Sequence, residues 1–94
     1  MMNENVFFRL GDEVIIKSTD EVVTTAGVDY VSYDYKSYKC SYKNMDYLIL
    51  YSDTQDKQGK RGTIVNGVYD KYLIVELDDS KELVRLPHFA LHKI

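Results

Sequence analysis

Tyrosine is the residue type through which this sequence could recognise another molecule. Nine of the 94 residues are tyrosine and none is tryptophan. Seven of them lie in one segment: Tyr30, Tyr33, Tyr35, Tyr38, Tyr42, Tyr47 and Tyr51. A tyrosine ring adds a large contact area at a small entropy cost, so tyrosine is enriched at binding surfaces. The alternative is a second small core or cross-strand ladders, although alternation cannot bury all seven rings.

Basic residues are interleaved with these tyrosines. Residues 36–61 contain six basic side chains and three acidic ones, whereas the whole chain has a net charge of −3. Lysines could hold the phosphates of a single strand whose bases stack on tyrosine. The acidic total argues against a general nucleic-acid coat, so a protein partner ranks first and a nucleic acid second. The predicted partner-binding set is Tyr30, Tyr33, Tyr35, Lys36, Tyr38, Lys39, Tyr42, Lys43, Lys60 and Arg61.

The residue types that usually perform catalysis are few and scattered. His88 and His92 are four positions apart, a metal-ligand spacing on a helix, but the turn expected there is only one turn long. Cys40 has neither a base nor an orienting group nearby in sequence, and a lone cysteine is more often a small buried hydrophobic residue. We therefore predict that the chain is not an enzyme and that it holds no metal or cofactor.

Alternating apolar residues predict the strands that must position these side chains. Leu73, Val75 and Leu77 alternate with more polar neighbours and are expected to face the core. A proline cannot continue a central ladder, so Pro87 should end a strand, and one helical turn should follow before Leu91 and Ile94 return to the core. The predicted strands are residues 13–17, 21–25, 47–51, 62–65, 72–77 and 83–86, and residues 52–60 are predicted to form a loop.

Residues 28–46 fit two periodicities. In steps of two, Tyr38, Cys40 and Tyr42 share one face of a strand. Helical spacing instead places one stripe along the segment, formed by Val31, Tyr35, Tyr38, Tyr42, Met45 and Ile49. Serine, aspartate and asparagine disfavour helix interiors and tyrosine favours strands, so composition favours strands, with the helix left as an alternative.

Four segments together resemble a small SH3-like barrel of the KOW type. The matching segments are Gly11 to Ile16, Gly59 to Val65, Tyr72 to Asp79, and Leu83 to Pro87 followed by Leu91 and Ile94. The resemblance implies a mainly β, five-stranded barrel, and closing the sheet would hide its edges. We expect one domain over residues 1–94, with a long Tyr-rich insertion at about residues 19–58 between the first and second barrel strands.

The resemblance also carries functional expectations. KOW motifs occur in ribosomal proteins and transcription elongation factors, and similar barrels occur in uncharacterised bacterial and bacteriophage proteins. It implies RNA or single-stranded DNA binding for some members, and a small acidic domain resembles a phage or mobile-element accessory protein that acts on host machinery. We expect a non-catalytic module that binds a protein through the insertion, with a symmetric homodimer as a third hypothesis. One cysteine and no long apolar run predict a cytoplasmic protein without a membrane segment.

Overall fold

The computed structural model describes residues 7–94, and β-strands dominate this part of the chain. The elements, in chain order, are β1 (Glu13–Ile16), α1 (Thr19–Thr25), β2 (Gly27–Val31), β3 (Ser37–Tyr42), β4 (Met45–Leu50), α2 (Tyr51–Thr54), β5 (Arg61–Asn66), β6 (Leu73–Leu77), β7 (Leu83–Leu86), a one-turn 3₁₀ helix (His88–Ala90) and β8 (Leu91–Lys93). They form two antiparallel sheets, ordered β7-β6-β5-β1-β8 and β2-β3-β4. The mainly β class is confirmed, and residues 1–6 of the expected domain lie outside the described range.

The five-stranded sheet holds most of the core. Leu73, Val75 and Leu77 are buried, which confirms the face predicted for β6. Gly62 in β5 lies opposite Leu77, and a Cβ atom at this position would lie 2.5 Å from Val75 Cγ1 and 2.8 Å from the Glu76 carbonyl oxygen. Glycine is therefore required here by the close approach of β6 rather than by an unusual backbone angle.

The outer strands of this sheet are β7 and β8. Among residues 7–94 the strand pairs leave both with one unpaired side, and no closed barrel is found. Leu91 is buried as predicted, but the prediction that Ile94 returns to the core is wrong because its side chain is exposed. Ile94 follows the last paired position, Val14 opposite Lys93, so the sheet provides few neighbours to cover it.

Residues 21–25 belong to a helix, so the strand predicted there is wrong. Ser18 and Glu21 form a capping box: the Glu21 N–H donates to Ser18 Oγ at 3.2 Å, and the Ser18 N–H donates to Glu21 Oε1 at 3.5 Å. This reciprocal cap outweighs the β-branched residues that follow it. Residues 51–54, assigned in part to the predicted loop, form the short helix α2. Within the described range neither helix is long and apolar enough to cross a membrane.

The segment with two periodicities forms strands. Residues 27–50 fold into the three-stranded sheet, and the turn between β3 and β4 places Lys43 and Asn44 at φ angles of 49° and 65°. Two successive positive φ values suit the twist of a two-residue hairpin connection. One face of this sheet packs on the 3₁₀ helix, where the Tyr47 and Phe89 ring centroids lie 5.0 Å apart. The other face is directed away from the core.

Candidate binding surface

Tyr38 is a core residue, which corrects its place in the predicted partner-binding set. Its side chain is only 1% exposed. Its hydroxyl lies 2.9 Å from Thr54 Oγ1, which lies 2.9 Å from Thr19 Oγ1, so a chain of three hydroxyls joins β3, α2 and α1. Burial raises the pKa of the Tyr38 phenol, which keeps its proton available for this chain.

Tyr42 and Tyr47 also use their rings inside the molecule. Tyr42 is half-buried and stacks on Phe89 with a centroid distance of 4.8 Å, and it meets the His88 ring edge-on at 5.2 Å. Tyr47 is buried between Phe89 and Tyr72. The second-core alternative therefore describes the tyrosines on the inner face of β3 and β4.

The outer face of the three-stranded sheet carries a row of large exposed side chains. Tyr30 in β2 lies opposite Lys39 in β3, and Lys39 lies opposite Leu48 in β4. Tyr30, Leu48 and Leu50 are all about half-exposed. Sequence reasoning missed both leucines because residues 47–51 form one apolar run. The buried positions Tyr47 and Ile49 are the signal that period-two alternation turns Leu48 and Leu50 outward.

The loop between β2 and β3 presents two more tyrosines. Tyr33 is 100% exposed and Tyr35 is 76% exposed. Below them, Ser32 Oγ donates to Asp34 Oδ1 at 2.9 Å and accepts the N–H groups of Lys36 and Ser37 at 3.1 and 3.0 Å. The Tyr35 N–H donates to the Ser32 carbonyl oxygen at 3.0 Å. Local hydrogen bonds thus hold the loop while both phenol rings face solvent.

Asp34 is an acceptor at the centre of this loop. It accepts from the Ser32 hydroxyl and, at 3.2 Å, from the Lys36 N–H. These two hydrogen bonds, the hydroxyl one first, hold the pKa of the Asp34 carboxyl below its usual value. The ionised carboxylate is therefore the form that orders the loop.

We call Tyr30, Tyr33, Tyr35, Leu48 and Leu50 together the outer surface.

The lysines near the outer surface have carboxylate neighbours. Lys39 Nζ lies 3.2 Å from Asp46 Oδ2 and 5.8 Å from the centroid of the Tyr30 ring. The hydrogen-bonded pair lowers the pKa of Asp46 and raises that of Lys39. Lys36 Nζ lies 4.0 Å from Asp34 Oδ2. Lys39 is thus partly neutralised by a close carboxylate, and Lys36, which is more exposed, has a more distant one.

The remaining predicted residues lie elsewhere. Lys43 occupies the β3–β4 turn, with its Nζ 5.5 Å from the centroid of the Tyr42 ring. Lys60 and Arg61 lie at the start of β5 in the other sheet, where Lys60 Nζ is 2.8 Å from Asp79 Oδ2. This hydrogen bond lowers the pKa of Asp79. Of the predicted set, the structure therefore places Tyr30 and Lys39 on the outer face, and Tyr33, Tyr35 and Lys36 in the adjoining β2–β3 loop.

The histidines and the cysteine have separate surroundings. His92 Nε2 lies 2.9 Å from Glu21 Oε2, which joins β8 to α1, whereas His88 contacts the rings of Tyr42 and Phe89. Cys40 is buried, and burial raises the pKa of its thiol to about 11. Within residues 7–94 no three His, Cys, Asp or Glu side chains are placed to hold a metal ion. Comparison of the chain with protein-family models, with curated proteins and with solved structures gives no match.

Proposed function

We propose that this chain is a non-catalytic binding module that engages a protein partner through the outer surface. The observation that carries the proposal is the exposure of three large side chains on the outer face of the sheet, Tyr30, Leu48 and Leu50, together with two tyrosines in the adjoining β2–β3 loop. Exposed apolar side chains accompanied by aromatic rings are typical of an interaction site. The hydrogen-bonded loop beneath Tyr33 and Tyr35 supports it further, because a pre-ordered loop loses little entropy on binding.

The five-stranded sheet serves as the frame of this module, and we propose an SH3-like barrel for it. The consecutive antiparallel strands β5, β6 and β7 support this architecture, as do the single helical turn at His88–Ala90 and the return of β8 beside β1. The excursion between β1 and β5 contains both helices and the three-stranded sheet. It thus supplies the binding surface that the frame holds in place.

A protein partner is favoured over RNA or single-stranded DNA by the charges around the outer surface. Lys36 and Lys39 lie beside Asp34 and Asp46, so a phosphate backbone approaching them would also meet carboxylates. Nucleic-acid affinity depends on cations that neutralise phosphates and release counterions. Binding through exposed rings and leucines should instead depend much less steeply on salt than nucleic-acid binding does.

Affinity capture with a matched control tests the proposal. The double variant Tyr33→Ala, Tyr35→Ala removes both loop rings, whereas Tyr69→Ala removes a ring that is 90% exposed in the loop between β5 and β6. We expect a protein recovered by the wild type to be recovered equally by the Tyr69 variant and lost by the double variant. Equal recovery by all three proteins would contradict the proposal, because general tyrosine adhesiveness would then explain the capture.

A further inference from the structure

Strand β2 is an open edge of the three-stranded sheet. The sheet order β2-β3-β4 leaves β2 with one hydrogen-bonded neighbour, and all five of its residues are exposed. The register shifts between Val28 and Tyr30, so Asp29 forms a bulge near the middle of the strand. An edge strand presents backbone donors and acceptors to any extended chain that can reach it.

The backbone groups of β2 can be assigned from the surrounding hydrogen bonds. The Ser32 N–H donates to the Ser37 carbonyl at 2.9 Å, so the backbone of Ser32 points towards β3. Directions alternate along an antiparallel ladder, so Val31 is turned away from β3. The backbone of Lys36 bonds towards β4, and so do the even-numbered residues of β3 that follow it. Val28 lies opposite one of these residues, Cys40, so its backbone is also turned away from β3. Val28 and Val31 therefore each direct an N–H and a C=O outward.

The other edges are less suitable for pairing. On β4 the Leu48 N–H already donates to the Tyr72 hydroxyl at 2.8 Å, so the side chain that precedes β6 occupies that edge. Strands β7 and β8 contain only four and three residues. Among the described strands, β2 thus combines useful length with outward backbone groups, and it adjoins the outer surface through Tyr30.

Negative charge collects beside this edge. The Ser41 hydroxyl lies within hydrogen-bond distance of both Asp29 and Asp46, but it has one proton and can donate to only one of them. Lys39 is paired with Asp46 at 3.2 Å, and Asp29 is a second carboxylate acting on the same ammonium group. Lys71 is a second cation acting on Asp46, so Asp29 is the less compensated of the two carboxylates, which leaves an excess of negative charge at the bulge.

We infer that β2 receives an extended segment of the partner protein as an additional antiparallel or parallel strand. The inference rests on the proposed function and specifies how the partner is held. The added strand places apolar side chains beside Val28 and Val31, which lie half-exposed at the rim of the inner face. It carries a lysine or arginine on the opposite face, near Asp29.

A second copy of this chain is a poorer occupant than a different protein. If two β2 strands paired antiparallel over their full length, the two-fold axis would pass near Asp29, the central residue of Gly27–Val31. The two Asp29 carboxylates would then lie close together, and like charges opposite each other destabilise a strand pair. A heterologous basic strand removes this repulsion and neutralises the excess charge.

The test uses a phage-displayed library of random dodecapeptides selected on the full-length chain. We expect enriched peptides to alternate apolar residues with lysine or arginine, and to bind Val31→Pro about tenfold or more weakly than the wild type, since proline removes the outward N–H. The control Val31→Ala keeps that N–H and loses only a side-chain contact, so it should weaken binding much less than Val31→Pro. Binding should also slow hydrogen exchange of the Val31 amide, whereas the Tyr30 amide, already directed to β3, should change little.

Each other outcome overturns strand addition. These outcomes are a lack of enriched peptides, peptides that bind Val31→Pro like the wild type, an unchanged Val31 amide, or a dimer in light scattering that Val31→Pro dissolves. The exchange measurement on the wild type keeps the test decisive if the proline variant does not fold. If the Tyr33→Ala, Tyr35→Ala variant lost binding while Val31→Pro retained it, the result would support the proposed function and contradict only the added partner strand.

Discussion

The five-stranded and three-stranded sheets both alternate side chains between two faces, but they differ in what covers their edges and outer faces. In β6 the core-facing residues are buried and the intervening ones, Ile74 and Glu76, are partly covered. In the three-stranded sheet the inner face is buried in the middle of β3 and β4, whereas the outer face keeps Tyr30, Leu48 and Leu50 exposed. The buried side chains of β6 stabilise the fold, whereas the exposed ones on the three-stranded sheet support the proposal that this sheet binds a partner.

Truncating one leucine in each sheet should give the largest contrast. Leu73→Ala leaves a cavity at a fully buried position and should lower the free energy of unfolding by about 2–5 kcal/mol. Leu48→Ala removes a half-exposed side chain and should change it by roughly 0.5 kcal/mol or less. Guanidinium unfolding of both variants measures the difference. Similar losses for the two leucines would show that the outer face is covered in solution.

A second contrast comes from the same substitution at two glycines. In Gly62→Ala the new methyl group would lie 2.5 Å from Val75 Cγ1 and 2.8 Å from the backbone of β6, so we expect a loss of about 1–3 kcal/mol. At Gly27 in β2 a Cβ atom would meet nothing within 4 Å. Gly27→Ala should therefore be neutral or stabilising, by up to about 1 kcal/mol, because it restricts the unfolded chain. Thermal unfolding can rank the two variants, and equal destabilisation would show that the space beside Gly27 is occupied in solution.

The frame was the more predictable region because its signals are local. Strict alternation in Leu73, Val75 and Leu77 specifies which face of β6 is buried, whatever the rest of the chain does. The position of Pro87 likewise marks the end of β7. A period-two pattern with one apolar face has few other solutions, since a shift by one residue would expose the whole set.

The insertion was less predictable because its outcome depends on non-local contacts and on caps. Val22 and its β-branched neighbours favoured a strand, whereas the capping box from Ser18 to Glu21 starts a helix there. Tyr38 and Tyr33 are the same residue type in the same segment. Tyr38 is buried beside Thr54, whereas Tyr33 is exposed in the loop. Sequence alone identified the tyrosines but could not assign each ring to core or surface.

Removing a single hydroxyl should separate these two kinds of tyrosine. Tyr38→Phe deletes a buried link to Thr54 and should cost about 0.5–1.5 kcal/mol of folding stability. Tyr33→Phe deletes a hydroxyl that is fully in solvent, so stability should not change. Urea unfolding of the two variants gives the comparison directly. A neutral Tyr38→Phe would mean that the chain of hydroxyls through Thr54 and Thr19 adds nothing to the packing of the phenyl ring.

The smallest expected effect is local and concerns the loop that presents Tyr33 and Tyr35. The pKa of Asp34 is depressed in the folded chain, chiefly by the Ser32 hydroxyl and then by the Lys36 N–H. A depressed carboxyl pKa means that its contribution is present above the unfolded value of about 3.9 and is lost as the pH falls through the lower, folded value. Acidification to below pH 4 should therefore loosen residues 32–37 before the two sheets unfold.

The amide of Lys36 reports this change because it donates to both Asp34 Oδ1 and Ser32 Oγ. Its chemical shift and hydrogen exchange should follow the protonation of Asp34, while amides of β6 in the frame stay constant over the same range. In Asp34→Asn the uncharged amide side chain still offers an oxygen, so the loop should persist but lose its dependence on acid. If the Lys36 amide responded to acid in the same way in Asp34→Asn, the order of the loop would depend on another group, and the pre-organisation of Tyr33 and Tyr35 would have to come from the packing of β2 and β3 alone.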